Sequence, residues 1–90
     1  METTLKHKTG RYANPHPNIQ LKEGAGFADR LEYLLLKYGV SQRTLASAVF
    51  CSGDTIHKYV TGKSEPNVTM AVSIAKYFCV SMNWLCGMED

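Results

Sequence analysis

Residues 40–63 read VSQRTLASAVFCSGDTIHKYVTGK, and this stretch decides the fold. It divides into two short helices and a tight turn. Ser41 precedes a run with apolar residues at Leu45, Ala46 and Val49. Ser52 precedes a second run with apolar residues at Ile56, Tyr59 and Val60. Each serine hydroxyl can accept a hydrogen bond from a free N–H in the first helical turn, so each is a good N-cap. Both runs carry the i, i+3, i+4 spacing of a single buried helix face. Gly62 supplies the left-handed stop that ends the second run. The spacing predicts helices over 42–49 and 53–61, the second and third of the chain (helix 2 and helix 3). Only Phe50, Cys51 and Ser52 lie between them, so they are expected to cross steeply rather than lie antiparallel. Ala46 stands at the expected crossing, where a small side chain permits close approach.

Outward from this pair, the same periodicity marks three more helices. Over 27–38 (helix 1), Phe27, Leu31, Leu34, Leu35 and Tyr38 form an apolar stripe; Asp29, Arg30, Glu32 and Lys37 are expected to face water, and Gly39 ends the run. A helix over 68–78 begins after Asn67 as cap and Pro66 as breaker, and buries Val68, Ala71, Ile74, Ala75 and Phe78. A short helix over 82–86 has Ser81 as cap and Gly87 as stop, with Trp84 and Leu85 closing the core. Residues 1–26 are polar and interrupted by Gly10, Pro15, Pro17, Gly24 and Gly26, which predicts a flexible basic leader. The expected organisation is a leader over 1–26, an all-α five-helix domain over 27–87 and a tail over 88–90. About 60 residues make a small core of modest stability.

Composition narrows the class. The chain has 90 residues, 44% of them hydrophobic and 20% charged, which suits a single soluble domain. No apolar run approaches the roughly 18 residues needed to span a membrane. No secretory signal is visible at the N-terminus, so a cytoplasmic setting is expected. Cys51, Cys79 and Cys86 are odd in number and lack C-x-x-C spacing. They predict buried thiols rather than a disulfide framework or a metal site. The net charge of +2 lies wholly in the leader, since residues 27–90 carry six basic and six acidic side chains. Affinity for a polyanion would therefore have to come from the local patch of Arg43, Lys58 and Lys63, with Lys6, Lys8 and Arg11 of the leader either tracking DNA or simply solvated.

Two helices joined in this way form the helix-turn-helix pattern, whose second helix enters the DNA major groove. The segment also resembles the phage lambda repressor/Cro-like (XRE-type) family of transcription regulators. The resemblance rests on Ser41-Gln42, Leu45-Ala46, Ser52 with Thr55-Ile56, Gly62-Lys63, Pro66, Ile74-Ala75-Lys76 and Val80-Ser81 with Asn83-Trp84-Leu85 and Gly87, and it runs from about Phe27 to Gly87. It implies a compact lambda-repressor-like domain that binds double-stranded DNA. By that resemblance Gln42, which opens helix 2, bridges a phosphate and the recognition helix, and Thr61, Lys63 and Ser64 match the family's backbone-binding loop. Arg43 is a second phosphate candidate, because helix N-termini favour anions. Base reading falls to Gly53, Asp54, Thr55, His57 and Lys58. Lys58 can donate to guanine, Asp54 can accept from cytosine, and Thr55 can offer a hydroxyl or a methyl group. Each has a plainer reading: Asp54 as partner of the helix dipole, Thr55 as a brace against helix 2, His57 as a surface residue.

The chain departs from the family pattern in three places. Phe50 and Cys79 occupy positions where relatives usually carry glycine, so a retained left-handed backbone would be strained there. Relatives often pair an arginine in helix 1 with a glutamate late in helix 3; here Leu35 and Val60 stand at those positions, and no orphan charge is left behind. Gly53 removes one potential base contact and predicts a thin direct readout, supported by dimer spacing and DNA shape.

The expected function is that of a sequence-specific DNA-binding transcriptional regulator, a repressor of phage or bacterial type acting as a homodimer — Met82, Leu85, Cys86 and Met88 being the expected dimer surface unless they simply complete the core. The alternative is a protein-interaction module, such as an antitoxin-like partner with weak base readout. No catalytic constellation, phosphate loop or metal-ligand spacing is present, so neither an enzyme nor a cofactor is expected.

Overall fold

The computed structural model describes residues 18–89. Five helices run through them, with no strand among the described residues: α1 (Phe27–Tyr38), α2 (Gln42–Ala48), α3 (Gly53–Val60), α4 (Val68–Phe78) and α5 (Met82–Leu85). All five begin where the sequence predicts, and α2, α3 and α5 each stop one residue early.

Local hydrogen bonds explain these starts. Ser41 accepts from the Thr44 N–H at 3.0 Å, Ser52 from Thr55 at 3.1 Å, Asn67 from Met70 at 2.8 Å and Ser81 from Trp84 at 2.9 Å. Each bond satisfies one of the donors that a helix leaves unpaired at its N-terminus. Only α1 starts without a side-chain cap, on Gly26.

The ends are equally uniform. Each helix closes on a residue in the left-handed region: Gly39, Phe50, Gly62, Cys79 and Gly87, with φ of 66°, 61°, 79°, 60° and 83°. The next N–H then donates back five residues: Val40 to Leu35, Cys51 to Ala46, Lys63 to Lys58, Val80 to Ala75 and Met88 to Asn83, at 2.8–3.0 Å. This is the Schellman geometry, which satisfies otherwise orphaned carbonyls. Phe50 and Cys79 thus keep the backbone of a glycine while carrying a side chain, as the departures from the family pattern foreshadow.

Packing follows the predicted stripes except at Val68, the first residue of α4, which is 72% exposed rather than buried. Leu31, Leu34, Leu35, Val40, Leu45, Ala46, Val49, Ile56, Tyr59, Ile74, Ala75, Phe78 and Leu85 form one continuous core. Helix α3 packs on α2 and α1, and α5 on α4 and α1. Leu35 belongs to that core and Val60 packs against it, so the positions of the family's ion pair are both apolar-packed. Phe27 meets Tyr59 edge-on at 6.0 Å, tying α1 to α3, and Tyr38 stacks on Phe78 at 6.2 Å, tying α1 to α4.

Three further expectations are corrected. Arg30 does not face water: it is 4% exposed. Its Nε donates to the Ala25 carbonyl at 2.9 Å, its Nη1 donates to the Glu89 carbonyl at 3.2 Å, and its guanidinium lies 4.9 Å from the centre of the Trp84 ring. A buried guanidinium persists only with such partners. None of the cysteines is fully buried: Cys51 is half-buried, and Cys79 and Cys86 are exposed. Packing also begins before residue 27. Ala25 is buried, Lys22 pairs with Asp29 at 3.4 Å, and Ile19 and Leu21 line a shallow cleft against Tyr33 and Leu36 of α1. Glu89 likewise extends the packed region into the expected tail, because Ser81 Oγ donates to its carboxylate at 2.8 Å. The expected DNA-tracking residues Lys6, Lys8 and Arg11 lie outside the described residues.

Candidate nucleic-acid interface

Helix α3 buries Ile56 and Tyr59 and leaves Asp54, His57 and Lys58 exposed on its other side. The core-facing residues recur every three or four positions, so the polar residues between them are turned outward by the same periodicity. The surface sought for base reading is therefore open. Gly53 and Thr55 are half-buried. A Cβ placed on Gly53 would lie 3.6 Å from Arg43 Cγ, which puts the stem of Arg43 across the first turn of α3. The two helix starts that the sequence reading paired, one for phosphate and one for bases, thus adjoin.

Lys58 and Asp54 do not stand apart as two independent readers. Lys58 Nζ lies 3.3 Å from Asp54 Oδ2. The i, i+4 spacing brings them together, and an exposed pair of this kind contributes only about 0.3–0.5 kcal/mol. The Thr55 hydroxyl lies 2.9 Å from Ser52 Oγ and is engaged with the cap of its own helix rather than bracing α2. The His57 side chain is exposed, and its carbonyl accepts from the Thr61 hydroxyl at 2.9 Å.

The phosphate candidates divide similarly. Gln42 is half-buried at the start of α2, and Arg43 is exposed beside it. Thr61, Lys63 and Ser64 are all exposed in the loop after α3. Thr61 donates its hydroxyl to the carbonyls of His57 and Lys58, so a phosphate would have to win that proton from the helix end. Both the Lys63 and Ser64 N–H groups turn back to the Lys58 carbonyl, at 2.9 and 3.3 Å. Only the Lys63 ammonium and the Ser64 hydroxyl then remain for an anion.

Of the two readings of Leu85, the core one holds and the dimer-surface one is corrected: it is 0% exposed within the single chain and belongs to the core. Contact with α1 and α4 explains this, since a four-residue helix held against both turns a large side chain inward. Met82 is half-buried, and Cys86 and Met88 are exposed. Met82 and Cys86 line an open groove of about 400 Å³ with Phe27, Pro66, Val68 and Ala71.

The chemistry elsewhere is quiet. Burial pushes the Cys51 thiol above its ordinary range, and burial followed by the nearby Cys51 does the same to the Tyr59 phenol. Cys51 stays protonated at neutral pH and is a poor nucleophile. No group of three His, Cys, Asp or Glu residues among those described is placed to hold a metal ion. No helix among them is long and apolar enough to cross a membrane.

Sequence reasoning missed Arg30 as a structural cation and the joining of Asp54 to Lys58. The second was legible in their four-residue spacing; the first depends on partners at distant points of the chain.

Comparison with known proteins agrees with this geometry. No curated protein sequence matches the chain. A transcriptional regulator from Listeria innocua has a similar structure, with a TM-score of 0.67 and 25% identity over 71% of this chain. The match spans 60% of the Listeria protein's length. The P22 c2 repressor protein, solved in complex with synthetic operator 9T, superposes with a TM-score of 0.68 at 20% identity, over 72% of this chain and 98% of that one, a likeness of fold. Residues 31–85 match the family model for the helix-turn-helix domain. With more than half its length in that match and its five helices in this order, the chain belongs to the helix-turn-helix family, in its lambda-repressor-like branch.

Proposed function

We propose that the protein is a sequence-specific DNA-binding transcriptional regulator that places the first turns of α3 in the major groove. The observation that carries this reading is the open edge of α3. Asp54, His57 and Lys58 face solvent there, while Arg43 from the start of α2 lies across Gly53. Gln42, Arg43, Lys63 and Ser64 then set the register by holding phosphates, and the α3 residues read base edges. Thr61 serves α3 first and phosphate second, because its hydroxyl is already donated to the helix.

One α3 in one groove gives little affinity, so the regulator acts as a homodimer on half-sites about 34 Å apart. Its second copy docks on the groove between α1, α4 and α5, where Met82 and Cys86 lie, with the exposed Met88 at the chain end. Leu85 supports that surface from below rather than forming it. The protein works in the cytoplasm, without metal or cofactor, and is not an enzyme.

Selection of bound sites from a random DNA pool, followed by a salt titration on selected and random duplexes, tests this. A regulator gives a two-fold symmetric consensus, a steep fall of affinity with salt, and a selected site bound at least about 10³-fold tighter than random sequence. Binding that is equal on both DNAs, or absent, rejects base reading and leaves a protein-interaction module. Sedimentation at micromolar concentration with and without DNA tests the dimer, and monomer in both conditions rejects it.

A further inference from the structure

Asp54 and Lys58 stand one turn apart on the exposed side of α3, and their charged ends meet at 3.3 Å, with the lysine side chain 53% and the aspartate side chain 73% exposed. The cap of this helix is already made by Ser52, so the aspartate is not needed to satisfy the Thr55 N–H. What the pair presents to the groove is one acceptor beside one donor.

A single C·G base pair presents the complement. Cytosine N4 and guanine O6 are joined by a Watson–Crick hydrogen bond of about 2.9 Å. On the major-groove edge N4 still has a free N–H, and O6 still has a free lone pair beside the acceptor N7. An acceptor and a donor about 3 Å apart match that edge in order and in spacing. We propose that Asp54 and Lys58 act as one unit that reads a single C·G pair: the carboxylate accepts from cytosine N4, and the ammonium donates to guanine O6 and N7. This rests on the DNA-binding reading above and names the base pair it leaves open.

An A·T pair fits less well. Adenine N6 can donate to the carboxylate, but thymine O4 then offers the ammonium one acceptor beside a methyl group, and adenine N7 lies on the far side of N6. Reading two separate base pairs would require the ion pair to come apart. Read as a unit, the pair is neutral, so it contributes to specificity while the salt dependence stays with Arg43, Lys63 and their neighbours.

The test uses the full chain and its selected DNA site. Affinities at fixed salt are measured for the wild type, Asp54→Asn, Lys58→Gln and the double variant, on the site and on versions with each base pair exchanged. One C·G position is expected at which exchange to A·T weakens the wild type about tenfold or more, and at which all three variants lose that discrimination. The same position, carrying N4-methylcytosine or 7-deazaguanine in unaltered sequence, should weaken wild-type binding and leave the double variant unaffected. This arm changes only the DNA, so it does not depend on how the variants fold. Relaxation at two different positions, relaxation at an A·T pair, or unchanged discrimination with selective binding intact overturns the unit and spares the DNA-binding reading. Absence of any selected site overturns both.

Discussion

Arg30 and Lys58 are both cations on helices of the same small domain, and they are held in opposite ways. Arg30 is 4% exposed, with backbone carbonyls of Ala25 and Glu89 on its nitrogens and the Trp84 ring against its plane. Lys58 is largely exposed, and it pairs with a carboxylate that is more exposed still. Removing Arg30 from its partners would strand a charge in the interior, whereas Lys58 and Asp54, exposed as they are, can turn their remaining donors and acceptors to a base edge with the pair intact. Position along a helix does not decide which cation serves the fold and which a ligand; the satisfaction of the charge by its surroundings does.

The comparison breaks most visibly at its buried end. Arg30→Leu removes two charge-assisted hydrogen bonds and the contact with Trp84, and should lower stability by about 2–4 kcal/mol in urea denaturation. The DNA affinity of the protein that stays folded should not change. A loss below about 1 kcal/mol would show that the carbonyls of Ala25 and Glu89 find other donors. Ala46→Leu probes the neighbouring core, where a 2% exposed alanine lies in the cluster shared by α2 and α3. Overpacking there should cost about 1–3 kcal/mol. An unchanged melting temperature would mean that the space beside Ala46 is not filled.

At the exposed end the signs reverse. Lys58→Ala should leave stability within about 0.5 kcal/mol of the wild type. It should weaken binding to a selected site by about 1–3 kcal/mol and to random DNA by much less. Gln42→Ala, by contrast, should weaken binding to both DNAs together, since phosphate contacts carry no sequence information. Fluorescence anisotropy on the two duplexes separates these outcomes. Equal losses for both variants on both DNAs would erase the distinction between reading and positioning.

The same two residues show what the sequence makes legible. Four of the five helix starts are written in single polar side chains, Ser41, Ser52, Asn67 and Ser81, because a cap acts on an N–H three residues away. The core stripes are likewise local, and the open edge of α3 follows from the burial of Ile56 and Tyr59. Arg30 was misread because its partners are not local in this way. It shares the inward side of α1 with Phe27, Leu31 and Leu34 by spacing, yet its charge argued for water. What makes its burial tolerable is a carbonyl 59 residues further on and another five residues back. Leu85 carries the same lesson in reverse: four residues of helix are too few for periodicity to distinguish a core side from a docking side.

Phe50 and Cys79 give the finest division between fold and ligand surface. They end α2 and α4 in the same backbone state, with φ of 61° and 60°. A residue with a Cβ pays about 1–2 kcal/mol in that state, and glycine returns roughly half of the gain through its freedom in the unfolded chain. Phe50→Gly and Cys79→Gly should therefore each stabilise by about 0.5–1 kcal/mol and add in the double variant, since neither exposed side chain gives up much buried area. Binding should separate them. Cys79 ends α4, while Phe50, 94% exposed, stands three residues before the first residue of α3. If Phe50→Gly stabilises the protein and leaves the selected site bound as before, the strained ring serves neither fold nor DNA. Stabilisation joined to weaker binding would mean that the ring adds an apolar contact at the groove, where Gly53 gives none. A loss of stability on Phe50→Gly would mean that the freedom glycine gains in the unfolded chain outweighs the strain released at a φ of 61°.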